Sequence, residues 1–200
     1  GTCKKLIVTG CLAQRYPSEI KQQLPEVDVI LGINGYDKIV DAVEGRLDYF
    51  NDMTLDISYI DCDRILITPK NVAYVKISEG CDNRCAYCAI PNIRGPFRSR
   101  PIENILSEIK RLLLQGIKEI VIVAQDTSRY GKDIYGQPCL AKLMYEIDNI
   151  PGDFYFRIMY LYPDEVADGL IEAFASCKKV MHYVDLPIQH ISDKVLLAMN

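Results

Sequence analysis

Tyr74-Val75-Lys76-Ile77, followed by Gly80-Cys81-Asp82-Asn83-Arg84-Cys85-Ala86-Tyr87-Cys88, is the stretch that decides how this chain is read: an apolar run leading straight into a CxxxCxxC loop. A structural zinc or a closed iron-sulfur cluster takes four protein ligands, so a tight triplet implies a centre that keeps one position free for a small molecule. Thiolates select iron-sulfur clusters or zinc. Zinc asks for a further Cys or His close by, and after Cys88 there is none before Cys139, while His182 and His190 lie further downstream. The plainer alternative is a group of buried structural thiols, since free Cys is among the most buried residue types.

Working outward, the chain beyond the loop alternates apolar strands with amphipathic helices. Pro101 precedes a helix carrying Ile105, Leu106, Ile109, Leu112 and Leu113 on one face, with Gly116 as its stop. A strand from Glu119 to Ala124 follows, then a helix with Leu140, Leu143, Met144 and Ile147, and a strand from Phe154 to Leu161. A helix with Val166, Leu170, Ile171 and Phe174, a strand from Val180 to Leu186 and a helix from Ser192 complete the series. Continuous apolar strands between amphipathic helices predict a parallel sheet covered by helices, here a β/α barrel cut short. Active sites of such barrels sit where strands end. The cysteine loop follows the first strand of the series, and Gln125, Asp126, Thr127, Ser128, Tyr162, Pro163, Gln189 and His190 follow the later ones.

Upstream, Leu6-Ile7-Val8 predicts a buried strand and Ile20 and Leu24 a helix. A strand from Val27 to Gly32 comes next, then a helix through Ile39, Val40, Ala42 and Val43 that ends at Gly45. Residues 1–45 therefore predict the end of a small parallel α/β domain. Residues 46–72 are less periodic and include Pro69, which predicts a linker with one irregular strand around Ile65-Leu66-Ile67; residues 73–200 form the partial barrel.

With 49% apolar residues, the chain can build packed cores, and no run approaches the roughly 18 uninterrupted apolar residues of a membrane span. It is expected to be soluble and to act away from membranes. Gly1-Thr2-Cys3-Lys4-Lys5 has neither an initiating Met nor the apolar core of a secretory signal, so a fragment of a longer protein is expected. Eight cysteines in 200 residues are too few for a disulfide scaffold, and their grouping favours metal binding in a reducing cytoplasm. A net charge of −4 gives no footprint for nucleic acid, because phosphate binding draws on clustered Lys and Arg. Arg94, Arg98 and Arg100 are the local exception, either a solvated loop or a binding patch.

The triplet, with an aromatic residue before its third cysteine, resembles the hallmark of the radical S-adenosylmethionine enzymes. The resemblance implies that Cys81, Cys85 and Cys88 hold a 4Fe-4S cluster whose fourth iron is chelated by S-adenosylmethionine, that Tyr87 lies near adenine, and that cofactor cleavage yields a 5′-deoxyadenosyl radical. Four more stretches resemble the methylthiotransferase branch: Val8-Thr9-Gly10-Cys11-Leu12-Ala13-Gln14-Arg15-Tyr16, Ile90-Pro91-Asn92-Ile93-Arg94-Gly95 with Ser99-Arg100-Pro101, Ala124-Gln125-Asp126-Thr127-Ser128-Arg129-Tyr130-Gly131, and Leu186-Pro187-Ile188-Gln189-His190. Together they span essentially the whole chain.

That branch implies an amino-terminal domain with a second, auxiliary 4Fe-4S cluster, a TIM-like radical barrel and a small β-rich carboxyl-terminal domain. Cys11 matches the last auxiliary ligand, and the other two are expected before Gly1; Cys3 is outside the motif position. Ala124-Gln125-Asp126-Thr127-Ser128 is similar to the members that modify an aspartate of a small-subunit ribosomal protein. Relatives acting on prenylated adenosine in transfer RNA usually show Gly-Gln-Asn there, and Asp126 departs from that pattern. The resemblance thus implies methylthio transfer to the β-carbon of an aspartate, with an electron donor such as a flavodoxin. The transfer-RNA reaction and an inactive cofactor-binding fragment stay as alternatives.

Gln125 and Asp126 stand where a cofactor could be contacted, yet Asp, Thr and Ser are also common turn and capping residues. Arg157 interrupts an apolar strand, and a charge there needs a partner: a cofactor or substrate carboxylate, or a structural ion pair. Gln189 is a similar candidate. His190 is expected to order its loop, and Cys62, Cys139 and Cys177, which lack ligand spacing, to be ordinary thiols.

Overall fold

The computed structural model describes residues 2–51, 57–61, 64–67 and 70–199. The amino-terminal part builds a parallel sheet of β1 (Ile7–Thr9), β2 (Val29–Leu31) and β3 (Tyr49–Phe50), with β2 in the middle. Ile7, Val8 and Thr9 face Val29, Ile30 and Leu31 in register, and Ile30 and Leu31 in turn face Tyr49 and Phe50. The three β2 residues are buried, as a central parallel strand covered on both faces requires. Side-chain alternation sends Ile30 to one face, against Ala13 of α1 (Cys11–Arg15) and Ile20 of α2 (Pro17–Gln23). Val29 and Leu31 point the other way, against Ala42 of α3 (Ile39–Val43), which follows a 3-10 turn over Ile33–Lys38. Pro17 opens α2, where its missing N–H is not needed.

Two expectations for residues 46–72 change. Tyr49–Phe50 is a strand of the first sheet, a pairing its two-residue length hides from periodicity. Ile65–Ile67 is not a strand: Ile65 and Ile67 are 93% and 96% exposed, while Leu66 between them packs against the core. Cys62 and Pro69 lie outside the described residues.

The second part is built on β4 (Val72–Lys76), β7 (Glu119–Val123) and β8 (Tyr155–Ile158), parallel and in that spatial order. Between β4 and β7 the chain makes a small antiparallel pair, β5 (Ser78–Glu79) with β6 (Arg98–Ser99), which brackets the cysteine loop and α4 (Ile90–Arg94). Helix α5 (Ile102–Leu114) then returns along the sheet, laying Ile105, Ile109 and Leu112 on Ala73, Val75, Ile120 and Ile122. After β7 come α6 (Lys132–Tyr135) and α7 (Leu140–Asp148), and after β8 come α8 (Asp168–Ser176) and α9 (Asp193–Met199). Leu143, Met144 and Ile147 of α7 and Leu170 and Ala173 of α8 join the same core. Truncating one such fully buried aliphatic side chain to Ala costs about 2–5 kcal/mol.

The expected strand over Val180 to Leu186 is reduced to a single parallel bridge between Phe156 and Val180. Hydrogen bonds from Phe156 N–H to Lys179 and from Met181 N–H to Phe156 hold it, at 2.9 and 2.7 Å. Strand β8 itself is shorter than expected because Tyr160 takes a left-handed φ of 61° and turns the chain out of the sheet. The architecture is the α/β one expected, with parallel strands covered by helices.

Arg94, Arg98 and Arg100 are not a surface patch. Arg100 is 1% exposed and pairs with Asp61 at 2.6 Å and Glu108 at 2.8 Å, with Lys76 O as a further acceptor. Arg98 donates to Pro96 O at 3.1 Å and to Arg94 O, and Arg94 faces Glu79. Charges this close to a core stay inside only when paired and hydrogen-bonded.

Candidate functional site

Glycine makes the cysteine loop possible. Gly80 has φ +80°, and a Cβ there would stand 2.1 Å from Pro96 O and 2.6 Å from Gly95 O, both backbone atoms. That close approach lets Cys81 N–H donate to Gly95 O at 3.2 Å and Phe97 N–H donate to Asp82 Oδ1 at 3.0 Å, so the two ends of the loop are stitched together. Cys88 N–H donates to Cys85 O at 2.9 Å, turning the second and third cysteines back on themselves, and Ala86 N–H donates to Met199 O at 2.9 Å.

The loop hangs over the carboxyl-terminal ends of β4, β7 and β8. Cys81, Cys85 and Cys88 line one cavity of about 160 Å³ with Asn83, Gln125, Asp126, Tyr160, Tyr162 and Gln189. A wider space of about 620 Å³ adjoins it, sharing Cys85, Tyr87, Tyr162 and Gln189 and reaching Asp164 and Asp193. Cys81 is buried, and burial pushes its thiol above the usual range, with a backbone hydrogen bond from Asn83 working the other way. Another cavity, about 440 Å³, lies at the opposite ends of the strands between Leu113, Leu114, Pro151 and Phe154, with the exposed Lys118–Asp153 pair and Lys110 at its edge and no cysteine in its lining.

Asp126 is placed beside the cysteines, but its carboxylate is already engaged. It accepts from Asn83 Nδ2 at 3.0 Å and from Ser128 N–H at 3.1 Å and the Ser128 hydroxyl, and it lies 3.7 Å from Arg129 Nε. Arg129 pairs with Glu165 at 2.9 Å, and Ser128 Oγ accepts from Tyr162 N–H at 3.2 Å. Asp126 therefore knits three strand-end loops together. Gln125 is different: it lines the cavity, and its Oε1 is buried without a hydrogen-bond partner among the described residues.

Tyr87 and Gln189 come together, the Tyr87 hydroxyl donating to Gln189 Oε1 at 2.7 Å across the mouth of the cavity. Gln189 and Tyr160 both have φ 61° and both line the cavity, so backbone strain is concentrated there. Sequence reasoning missed Asn83 and Tyr160; the Asn inside the triplet was a signal, whereas the strain at Tyr160 has none. His190 orders its loop, Nδ1 accepting from Ser192 N–H at 2.9 Å.

Arg157 does not reach the cavity. It pairs with Glu119, the first residue of β7, at 2.5 Å and lies 5.5 Å from the Tyr183 ring centre, toward the ends of the strands opposite the cysteine loop. The Glu119 contact is an ion pair of the kind expected, and Arg157 Nε is buried without a hydrogen-bond partner among the described residues. Cys11 also lies outside the cavity, at the start of α1, where its Sγ accepts from Arg94 Nη2 at 3.2 Å. Cys139 and Cys177 are buried free thiols away from the cysteine loop.

The residues fit a cluster with one open iron. Three cysteines of one loop line a shared cavity, Gln125 with its unpartnered amide oxygen lines it too, and a further Cys or His is not among its lining residues. Among the described residues no three Cys, His, Asp or Glu converge as tightly as a single metal ion demands. A cubane held by three thiolates, each on a different iron, calls for a wider spread.

Residues 75–200 match the sequence model of the radical SAM superfamily, so this chain belongs to that superfamily of S-adenosylmethionine-dependent proteins. Within it, the chain is 50% identical to a protein of Clostridium tetani named ribosomal protein uS12 methylthiotransferase RimO, over 99% of this chain and 46% of that one. Proteins of the same name from Acetivibrio thermocellus and Desulforamulus reducens are 48% and 50% identical, over 99% and 100% of this chain. The chain thus spans about half the length of the curated relatives it matches, 46% in these cases. In fold it is similar to a radical S-adenosylmethionine methyltransferase, TsrM from Kitasatospora setae, solved with cobalamin and a [4Fe-4S] cluster, with a TM-score of 0.51, 17% identity and coverage of 62% of this chain and 24% of that one.

Proposed function

We propose that this chain is the middle part of a methylthiotransferase that modifies ribosomal protein uS12 on an aspartate β-carbon. The observation that carries the reading is near-uniform kinship, about 50% identity over 99% of the chain, with proteins that bear that name. In this reading residues 1–45, with β3 (Tyr49–Phe50) completing their sheet, end an auxiliary-cluster domain, the rest of residues 46–72 up to β4 links it to the core, and residues 73–200 begin the radical barrel. Cys81, Cys85 and Cys88 would hold a 4Fe-4S cluster, and Cys11 would be one ligand of a second.

When bound, the cluster and S-adenosylmethionine would supply a carbon radical able to take hydrogen from a C–H bond too weakly acidic for a side-chain base. The chain's own residues then have three tasks. Gln125 Oε1 and the Tyr87–Gln189 pair present hydrogen-bonding groups to the cofactor. Asp126 keeps Asn83, and with it the cysteine loop, in place. The loop and Tyr162 line the cavity and would position the cofactor there, which is the protein's share of the work in cofactor enzymes. A small electron donor of the flavodoxin type and a cytoplasmic setting complete the reading. Among the described residues no helix is long and apolar enough to cross a membrane.

The test uses cells lacking the full-length protein. Mass spectrometry of uS12 should show the methylthio group gone from its aspartate, with methylthioadenosines in digested transfer RNA unchanged. The reverse pattern would transfer the assignment to the nucleic-acid branch, and no change in either would defeat the enzyme reading.

A further inference from the structure

A polar junction lies away from the cavity, where the β5–β6 pair and α4 meet α1 of the amino-terminal part. Glu79 is fully buried, two residues before Cys81, and its carboxylate accepts from Arg94 Nη1 at 2.9 and 3.1 Å, from the Tyr59 hydroxyl at 2.8 Å and from the Lys76 ammonium. The other terminal nitrogen of the same guanidinium, Nη2, donates to Cys11 Sγ at 3.2 Å. Helix α4, which carries Arg94, packs on α1, which carries Cys11. One planar side chain thus grips the strand that feeds the cysteine loop with one nitrogen and the sulfur of the amino-terminal unit with the other. Lysine, a point donor on a flexible stem, cannot span both in a fixed geometry.

We propose that Arg94 is a positioning residue that fixes the Cys11 sulfur relative to the Cys81–Cys88 loop, and so sets the separation between the two sulfur-ligand sites. The inference rests on the methylthiotransferase reading for its function and on the Glu79–Arg94–Cys11 contacts for its geometry. Radical formation at one site and sulfur delivery at the other must address the same substrate carbon, and misplacing reacting groups by about 1 Å can cost on the order of 100-fold. A rigid tether between the sites is what such a reaction needs.

The test uses the full-length protein and the variants Arg94→Lys, Arg94→Gln and Tyr59→Phe. Tyr59→Phe removes a different donor from Glu79 and leaves the Arg94–Cys11 contact in place. In the cluster-free protein, amide exchange over residues 7–16 should quicken in both Arg94 variants and stay at the wild-type rate in Tyr59→Phe. After anaerobic reconstitution, the magnetic interaction between the reduced centres should change in the Arg94 variants. Methylthio product per 5′-deoxyadenosine should fall by about tenfold or more. Unchanged exchange and spectra in both Arg94 variants would overturn the proposal, as would an equal effect from Tyr59→Phe, which would mean general loosening around Glu79. A wild-type protein that makes no methylthio product defeats the functional reading instead, and the exchange comparison still decides the role of Arg94.

Discussion

The side-chain amide of Asn83 donates to the carboxylate of Asp126 at 3.0 Å, tying the stretch between the first two cysteines of the loop to the end of β7. Asp126 is 2% exposed and also holds Ser128. Asp126→Ala strands these donors in a buried place, and loss of a hydrogen bond to a charged group costs about 1.5–3 kcal/mol. Urea unfolding should register a loss of that order, and iron uptake by the loop should slow. Asp126→Asn keeps an acceptor and should lie between the two; stability equal to wild type in the Ala variant would remove Asp126 from its knitting role.

Gly80 offers a sharper case. Its positive φ costs a side chain roughly 1–3 kcal/mol. The blocking atoms are the backbone carbonyls of Gly95 and Pro96, which cannot step aside like a flexible side chain. Gly80→Ala should therefore lower the melting temperature and leave the purified protein poor in iron, whereas Gly116→Ala, with open space around it, should bear only the φ penalty.

Acid stability should depend on Glu79. Burial alone would raise its carboxyl, but Lys76 and Arg94 outweigh burial and hold it below the usual range. Its folded pKa is thus lower than the unfolded value of about 4.3. The unfolded chain binds more protons as pH falls through that interval, so the contribution is present above it and lost below. Denaturant midpoints measured from pH 6 downward should fall with a steeper limb in the wild type than in Glu79→Gln, and identical limbs would contradict the assignment.

Thiol chemistry separates ligand from bystander. Replacing any one of Cys81, Cys85 or Cys88 with Ala should abolish iron and sulfide at the loop. Cys139→Ala and Cys177→Ala should leave both unchanged, because neither residue lines the cavity that the three loop cysteines share. Colorimetric iron and sulfide per chain decide it.

Much of this was legible from residue order because its causes are local. Ile105, Ile109 and Leu112 recur at helical spacing and mark a helix face wherever the helix goes. The CxxxCxxC spacing likewise confines three sulfurs to one short loop. Tyr49–Phe50 escaped because a two-residue strand has no period to detect.

What residue order determined by itself was the alternation of strands and helices, the cysteine loop at a strand end and the candidate chemistry of its thiols. Only the tertiary structure decided where the charges go: Arg157 to Glu119, Arg100 to Asp61 and Glu108, and Arg94 to both Glu79 and Cys11. The physical reason is range. Backbone periodicity is set by neighbours a few residues apart, whereas a charge at or near the core finds its partner wherever the fold brings one, across distances along the chain that nothing in its own surroundings names in advance.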